Sequence, residues 1–147
     1  TGQIIGIVWC DVLEGGRHRE SCKPASIEID PQTGIVTTEE YCMWGMYHRD
    51  DFGPTRIFRD RNSGITIRSE YHVDGRLHRN YDLPSVIQFC PQSGIVLKTE
   101  YHQRGLLHRD DAPASIAFNE DGRATTRKFF RNGKEVGVRD RALTQRL

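Results

Sequence analysis

Residues 101–113 read Tyr101-His102-Gln103-Arg104-Gly105-Leu106-Leu107-His108-Arg109-Asp110-Asp111-Ala112-Pro113. Thirty residues earlier stand Tyr71, His72, Gly75, Leu77, His78, Arg79 and, closing the stretch, Pro84. Tyr41, Gly45, His48-Arg49 and Pro54 lie thirty residues before those, and Gly15, His18-Arg19 and Pro24 carry the columns towards the amino end. Pro113 arrives one residue early. Ile27, Ile57, Ile87 and Ile116 each follow a Pro by three, and Gly34, Gly64 and Gly94 recur at thirty with Gly122 two early. A fixed period of this length is the mark of a repeat architecture. The columns divide the chain into a cap at 1–10, repeats at 11–40, 41–70, 71–100 and 101–128, and a partial repeat and cap at 129–147.

Within a unit the hydrophobic pattern has period two. Ile87 and Phe89 alternate with polar neighbours, as do Ile95, Leu97, Thr99 and Tyr101 with Lys98, Glu100 and His102. Such alternation predicts strands with two unlike faces. Pro-Gln-Thr-Gly at 31–34 and Pro-Gln-Ser-Gly at 91–94 are turn chemistry, Pro presetting φ and Gly admitting positive φ. After Tyr101 the stretch Gln103-Arg104-Gly105 makes a second bend, and Pro113 then excludes a helix and opens the next strand. The expectation is an all-β fold: an elongated antiparallel sheet of stacked hairpins, about two strands per unit. Ile4–Val12 supplies an opening strand, and Asp140 starts a short capping helix over 141–147. Stacked hairpins bury their apolar faces only against neighbours and caps.

The Tyr-x-x-x-Gly-x-Leu-His-Arg…Pro pattern of Tyr71, Gly75, Leu77, His78, Arg79 and Pro84 resembles MORN-type repeats, in their variant class. The same pattern returns at Tyr101, Gly105, Leu107, His108, Arg109 and Pro113-Ala114. Unit two places Tyr47 where the pattern has Leu, and unit one has Arg17 for Leu and Asp11 for Tyr. The resemblance spans about residues 11–134 and implies an elongated sheet of stacked hairpins that binds rather than catalyses.

Composition excludes some classes of function. No stretch approaches the roughly 20 apolar residues of a membrane helix, and the longest run, Ile4–Trp9, is broken by Gly6. The chain reads as cytoplasmic. Cys10, Cys22, Cys42 and Cys90 follow neither a zinc-ligand spacing nor the repeat, so free thiols are expected. The net charge of +1 combines +6 over Arg123–Leu147 with −5 over the rest. That basic end reads either as a solvated tail or subunit contact, or as a seat for nucleic acid, anionic lipid or an acidic partner.

All six histidines fall in two columns, 18/48/78/108 and 72/102. If each unit adds two strands at ~4.8 Å, members of one column lie roughly 10 Å apart, whereas zinc ligands sit about 3–4 Å from one another. No metal and no cofactor is expected. A constellation repeated four times is not a single asymmetric catalytic centre, so the chain reads as no enzyme. Each His-Arg step is expected to build a corner, with Arg pairing the local acid and His bonding backbone freed by the bend.

The candidate binding residues are of three kinds. Met43, Trp44 and Met46 form an apolar anchor, Trp44 standing where the other units have Asp74 and Arg104. Arg19, Arg49, Arg79 and Arg109 form a regular column able to line an edge, and Arg127, Arg131 and Arg139 belong to the basic end. Tyr41, Tyr71 and Tyr101 fall in the buried register, leaving Trp44 as the one exposed aromatic of the repeats. The expected task is protein–protein interaction as scaffold, adaptor or inhibitor, with self-association through open sheet edges in view. The alternative is electrostatic binding of nucleic acid or anionic membrane by the basic end.

Overall fold

A computed structural model describes residues 5–8 and 23–137. The chain runs β1 (Ile5–Val8), β2 (Ser26–Ile29), β3 (Val36–Glu40), β4 (Cys42–Met43), β5 (Met46–Tyr47), β6 (Arg56–Arg59), β7 (Thr66–Glu70), β8 (His72–Val73) and β9 (Arg76–Leu77). It continues through β10 (Val86–Phe89), β11 (Val96–Glu100), β12 (His102–Gln103), β13 (Leu106–Leu107), β14 (Ser115–Phe118), β15 (Ala124–Lys128), β16 (Phe130–Arg131) and β17 (Lys134–Glu135). Among the described residues there is no helix, and hence none long and apolar enough to cross a membrane. The expected capping helix over 141–147 lies outside the described residues, as do Cys10, Cys22, Arg19 and Arg139.

Nine strands form one long antiparallel sheet in the order β1-β2-β3-β6-β7-β10-β11-β14-β15. Its hairpins, β2–β3, β6–β7, β10–β11 and β14–β15, are closed by the turns expected from the Gly column. In the first, Asp30 Oδ1 accepts the N–H groups of Gln32 and Thr33 at 2.9 and 3.0 Å, and Gly34 (φ 72°) bonds back to the Asp30 carbonyl at 2.8 Å. Asp60 repeats this with Asn62 and Ser63. These N–H donors hold both carboxyls below the usual range. Asn119 takes the role in the last hairpin through a loop one residue shorter, which, added to the early Pro113, brings Gly122 forward by two. Each hairpin carries one register irregularity at its turn end, such as that between Gln88 and Phe89.

Between hairpins the sequence led us to expect a bend. The structure makes it a second row of strands: β4–β5, β8–β9, β12–β13 and β16–β17 are two-stranded hairpins of their own. Their two central residues all have positive φ: Trp44-Gly45 (52°, 77°), Asp74-Gly75 (48°, 74°), Arg104-Gly105 (51°, 86°) and Asn132-Gly133 (48°, 78°). That pair of dihedrals is the type I′ turn, whose twist suits a two-residue loop between antiparallel strands. The Tyr column is the pivot. Tyr71 donates its N–H to Ser85 O in the long sheet at 2.8 Å, while its carbonyl accepts His78 N–H at 3.0 Å to close the small hairpin. Tyr41 and Tyr101 do the same. Neighbouring small hairpins are joined by single bonds, Gly75 N–H to Tyr47 O, Gly105 N–H to Leu77 O and Gly133 N–H to Leu107 O.

The residue after each Pro fills the angle between the two rows. Ala25, Thr55, Ser85 and Ala114 have at most 1% of their surface exposed, so the column must stay small. Alongside it runs a polar ladder. Arg56 sits between Glu40 and Glu70 across three strands, donating to their carboxylates at 3.1 and 3.2 Å, and Ser26 and Tyr47 donate their hydroxyls to Glu40 at 3.0 Å each. Glu40 and Glu70 are less than 10% exposed, and these multiple donors offset the cost of burying a carboxylate. One unit on, Val86 stands where Arg56 did, between Glu70 and Glu100, and Leu77 where Tyr47 did, so the bridging donors are replaced by apolar side chains.

Candidate functional site

The corners at 48–54, 78–84 and 108–113 follow one another along the array, adjacent ones lining a common groove. Each corner is built round an arginine laid on a tyrosine of its own unit. The guanidinium carbon of Arg49 lies 3.9 Å from the Tyr41 ring centre, that of Arg79 3.6 Å from Tyr71, and that of Arg109 3.8 Å from Tyr101. In each, Nη1 donates to the carbonyl of the coming proline, Pro54, Pro84 or Pro113, at 3.2, 3.2 and 3.3 Å. The stack and the charge-assisted bond together fix the path from small hairpin back to long strand. Tyr41 feels the enclosure: burial, with its hydroxyl donating to Glu39 at 2.9 Å, pushes it up to about 12.

Among the described residues, Arg49, Arg79 and Arg109 thus turn a guanidinium face onto a ring of their own unit. The side chains of Arg49 and Arg109 are 16% and 18% exposed, because the planar face that would meet a ligand lies on a ring. The acid that completes each corner varies. Arg49 pairs with Asp51, two residues on, its Nη2 donating at 2.8 Å. Gly53 lets that pair close, since a Cβ there would come within 2.7 Å of the Arg49 guanidinium carbon. Arg109 instead takes Asp82 of the preceding corner in a two-pronged contact of 2.7 and 2.6 Å. Arg79 has neither. Its position two residues on is Tyr81, and Phe52 stands thirty residues before Asp82.

The histidines of the corner engage backbone as expected. Nδ1 of His108 accepts Asn132 N–H at 3.1 Å, and Nδ1 of His78 accepts Arg104 N–H at 3.5 Å, so each corner holds the tip of the next small hairpin. Their Nε2 atoms face Asp110 Oδ1 at 3.2 Å and Asn80 Oδ1 at 2.9 Å, and Nε2 of His48 faces Asp50 Oδ1 at 3.1 Å. The second histidine column points inward. His72 and His102 meet the hydroxyls of Thr55 and Ser85, and burial pushes both imidazoles below their ordinary value. Among the described residues no group of three His, Cys, Asp or Glu side chains is placed to hold a metal.

The anchor residues share one hairpin. Met43 pairs with Met46 across β4–β5, and the Met46 side chain packs against Gly75 of the next tip. Trp44 is 61% exposed and Met46 46%, with Met43 half-buried. Of the basic end, Arg127 is exposed on edge strand β15, opposite Ile116, and Arg131 donates to the Asp110 carbonyl at 3.0 Å. Cys42 and Cys90 are free thiols. Cys90 occupies the turn position of Asp30 and Asp60, where the Ser93 hydroxyl and the N–H groups of Gln92 and Ser93 lower its pKa.

Sequence reading missed two exposed aromatics. Phe52 is 78% exposed and Tyr81 85%, so Trp44 is not alone on the surface. All three have φ between 52° and 62°, a region that bulky L-residues avoid. With Val73 and Leu83, Phe52 and Tyr81 rim a groove of about 120 Å³ whose floor holds Tyr71 and Arg79. The next cleft along, about 380 Å³, is crossed by the Asp82–Arg109 pair. The signal was present as a departure from the repeat: aromatic residues at positions where neighbouring units supply the corner's acid. Compared with known protein families, curated proteins and solved structures, the chain matches none.

Proposed function

We propose that this chain is a non-catalytic, MORN-like interaction module that binds a protein partner through the tip formed by Met43, Trp44 and Met46. The observation that carries the reading is Trp44 itself. It occupies the first central position of a type I′ turn, where the other small hairpins place Asp74, Arg104 and Asn132, and it is 61% exposed. A left-handed backbone costs a bulky residue about 1–2 kcal/mol. Strain of that kind, at an exposed position, is what a contact residue retained for a partner would show. The corners support the non-catalytic part, since His78, Arg79, His108 and Arg109 are engaged in holding the next turn and strand.

The test is affinity capture from source lysate with wild-type protein, Trp44→Ala and Trp44→Asn. Loss of a specific partner in both variants, with capture insensitive to salt, is the expected result. Retained capture by Trp44→Asn, together with loss on reversing the charge of Arg127, would transfer the function to the basic end. A polyanion reader would also lose affinity steeply with log salt.

A further inference from the structure

From the comparison of the three corners we infer that the groove at Arg79 is a carboxylate-binding site. It would take an Asp or Glu side chain, flanked by apolar residues, from a segment of a partner protein. The chain itself supplies the argument. At Arg49 the guanidinium on its tyrosine is completed by Asp51, and at Arg109 by Asp82 reaching across from the preceding corner. Both positions that deliver a carboxylate are aromatic round Arg79: Tyr81 replaces the Asp51 position and Phe52 the Asp82 position. At the Phe52 position the backbone matches its counterpart, φ being 59° at Phe52 and 52° at Asp82, whereas Tyr81 takes φ 62° where Asp51 does not. Among the described residues no carboxylate pairs with Arg79, whose assigned partners are the Tyr71 ring and the Pro84 carbonyl.

What remains is a guanidinium with one edge committed to Pro84, at the floor of a groove rimmed by Phe52, Val73, Tyr81 and Leu83. A planar fork of donors matches a carboxylate in two-pronged fashion, as Asp82 demonstrates at Arg109. The apolar rim lowers the local dielectric around that pair and selects apolar neighbours of the incoming acid. The groove holds about 120 Å³, which suits one side chain rather than a cofactor. This inference rests on the reading of the chain as a protein-binding module but uses a surface distinct from Trp44.

The experiment is an NMR titration of the full chain, labelled with ¹⁵N, by the capped peptide acetyl-Ala-Leu-Asp-Leu-Ala-amide, its Asn counterpart and sodium acetate. The expected result is saturable movement of the Arg79 Nε–H resonance and of the Gly53 and Val73 amides with the Asp peptide. Binding of the Asn peptide should be at least tenfold weaker. Phe52→Asp places a carboxylate where Asp82 stands relative to Arg109, on a matching backbone, so it should fill the site from within and weaken the peptide at least tenfold, with the dispersed spectrum of the fold retained. Equal binding of the Asp and Asn peptides overturns the proposal, as does undiminished binding to Phe52→Asp. Shifts at Arg109, which lies outside the groove, as large as those at Arg79 overturn it too. Acetate reaching the same resonances with equal affinity overturns the partner-segment reading in favour of a free carboxylate. Partner capture dependent on Trp44 alongside a failed titration would sink the groove and leave the module reading standing. A positive titration alongside failed capture would do the reverse.

Discussion

Thr55 Oγ1 lies 2.7 Å from Nδ1 of His72 and donates its one proton to the Glu70 carbonyl at 3.0 Å. With that proton on the carbonyl the hydroxyl is left to accept, which assigns the imidazole proton to Nδ1. Ser85 and His102 repeat the arrangement thirty residues on, with Ser85 Oγ also accepting the His102 N–H at 3.0 Å. Where the inward column holds Cys42, the residue seventeen before it is Ala25, which has no hydroxyl. The pairs exchange together because a buried Nδ1–H without an acceptor is costly.

Thr55→Ala is accordingly expected to destabilise the chain by about 1–3 kcal/mol, chiefly by stranding the His72 donor. His72→Cys added to it recreates the Ala25 and Cys42 combination and should recover part of that loss. Urea unfolding of both single variants and the double variant gives the coupling, and strictly additive effects would show the pair to be independent.

The same imidazoles set the first step of acid sensitivity. His72 and His102 are held below their ordinary 6.5 by burial, so the folded state stays neutral where the unfolded chain takes up protons. Stability from these groups is present above pH 6.5 and declines as pH falls below it towards their folded values. Asp30 and Asp60, whose values are also lowered, add a loss only below 3.8. Thermal melts from pH 7.5 to 5 should show falling Tm in wild type and a shallower slope in the His72→Asn, His102→Asn double variant. Imidazole resonances of the two residues titrating at or above 6.5 would refute the assignment.

Trp44→Asn should raise stability by roughly 0.5–1 kcal/mol while removing the proposed contact. Asn132 already serves at this position in the last small hairpin with φ 48°, and Asn tolerates the left-handed region that Trp avoids. A stability gain paired with lost partner capture separates a binding residue from a packing one. A loss of stability would mean that the indole packs more than its 61% exposure implies.

Arg109→Lys is expected to cost about 1–3 kcal/mol, although the charge is kept. An ammonium cannot lie flat on Tyr101, donate to Pro113 O and grip both Asp82 oxygens at once. Urea midpoints settle it: a change under a few tenths of a kcal/mol would show that position 109 needs only a positive charge.

Much of the fold was legible in the columns. Gly34, Gly64 and Gly94 have φ near 72°, and each closes a hairpin, as their spacing required. The bend at Gln103-Arg104-Gly105 was visible, but not that it is a complete hairpin, because two-residue strands leave no periodicity to detect. The site was less legible. The tip of Met43, Trp44 and Met46 followed from one residue breaking a column. Phe52 and Tyr81 broke columns as well, yet their meaning depends on where Asp51 and Asp82 send their carboxylates, which no single unit reveals.

The sequence by itself determined the period, the all-β class, the turns and the place of each residue within its unit, since these rest on local φ preferences and alternation. Only the tertiary structure decided which side chains meet, within a unit and between units. It laid Arg79 on Tyr71, carried Asp82 to Arg109 and put Thr55 against His72. The reason is geometric: a column fixes a residue's height in the stack, but its partner is chosen by how the corner curls towards the neighbouring unit.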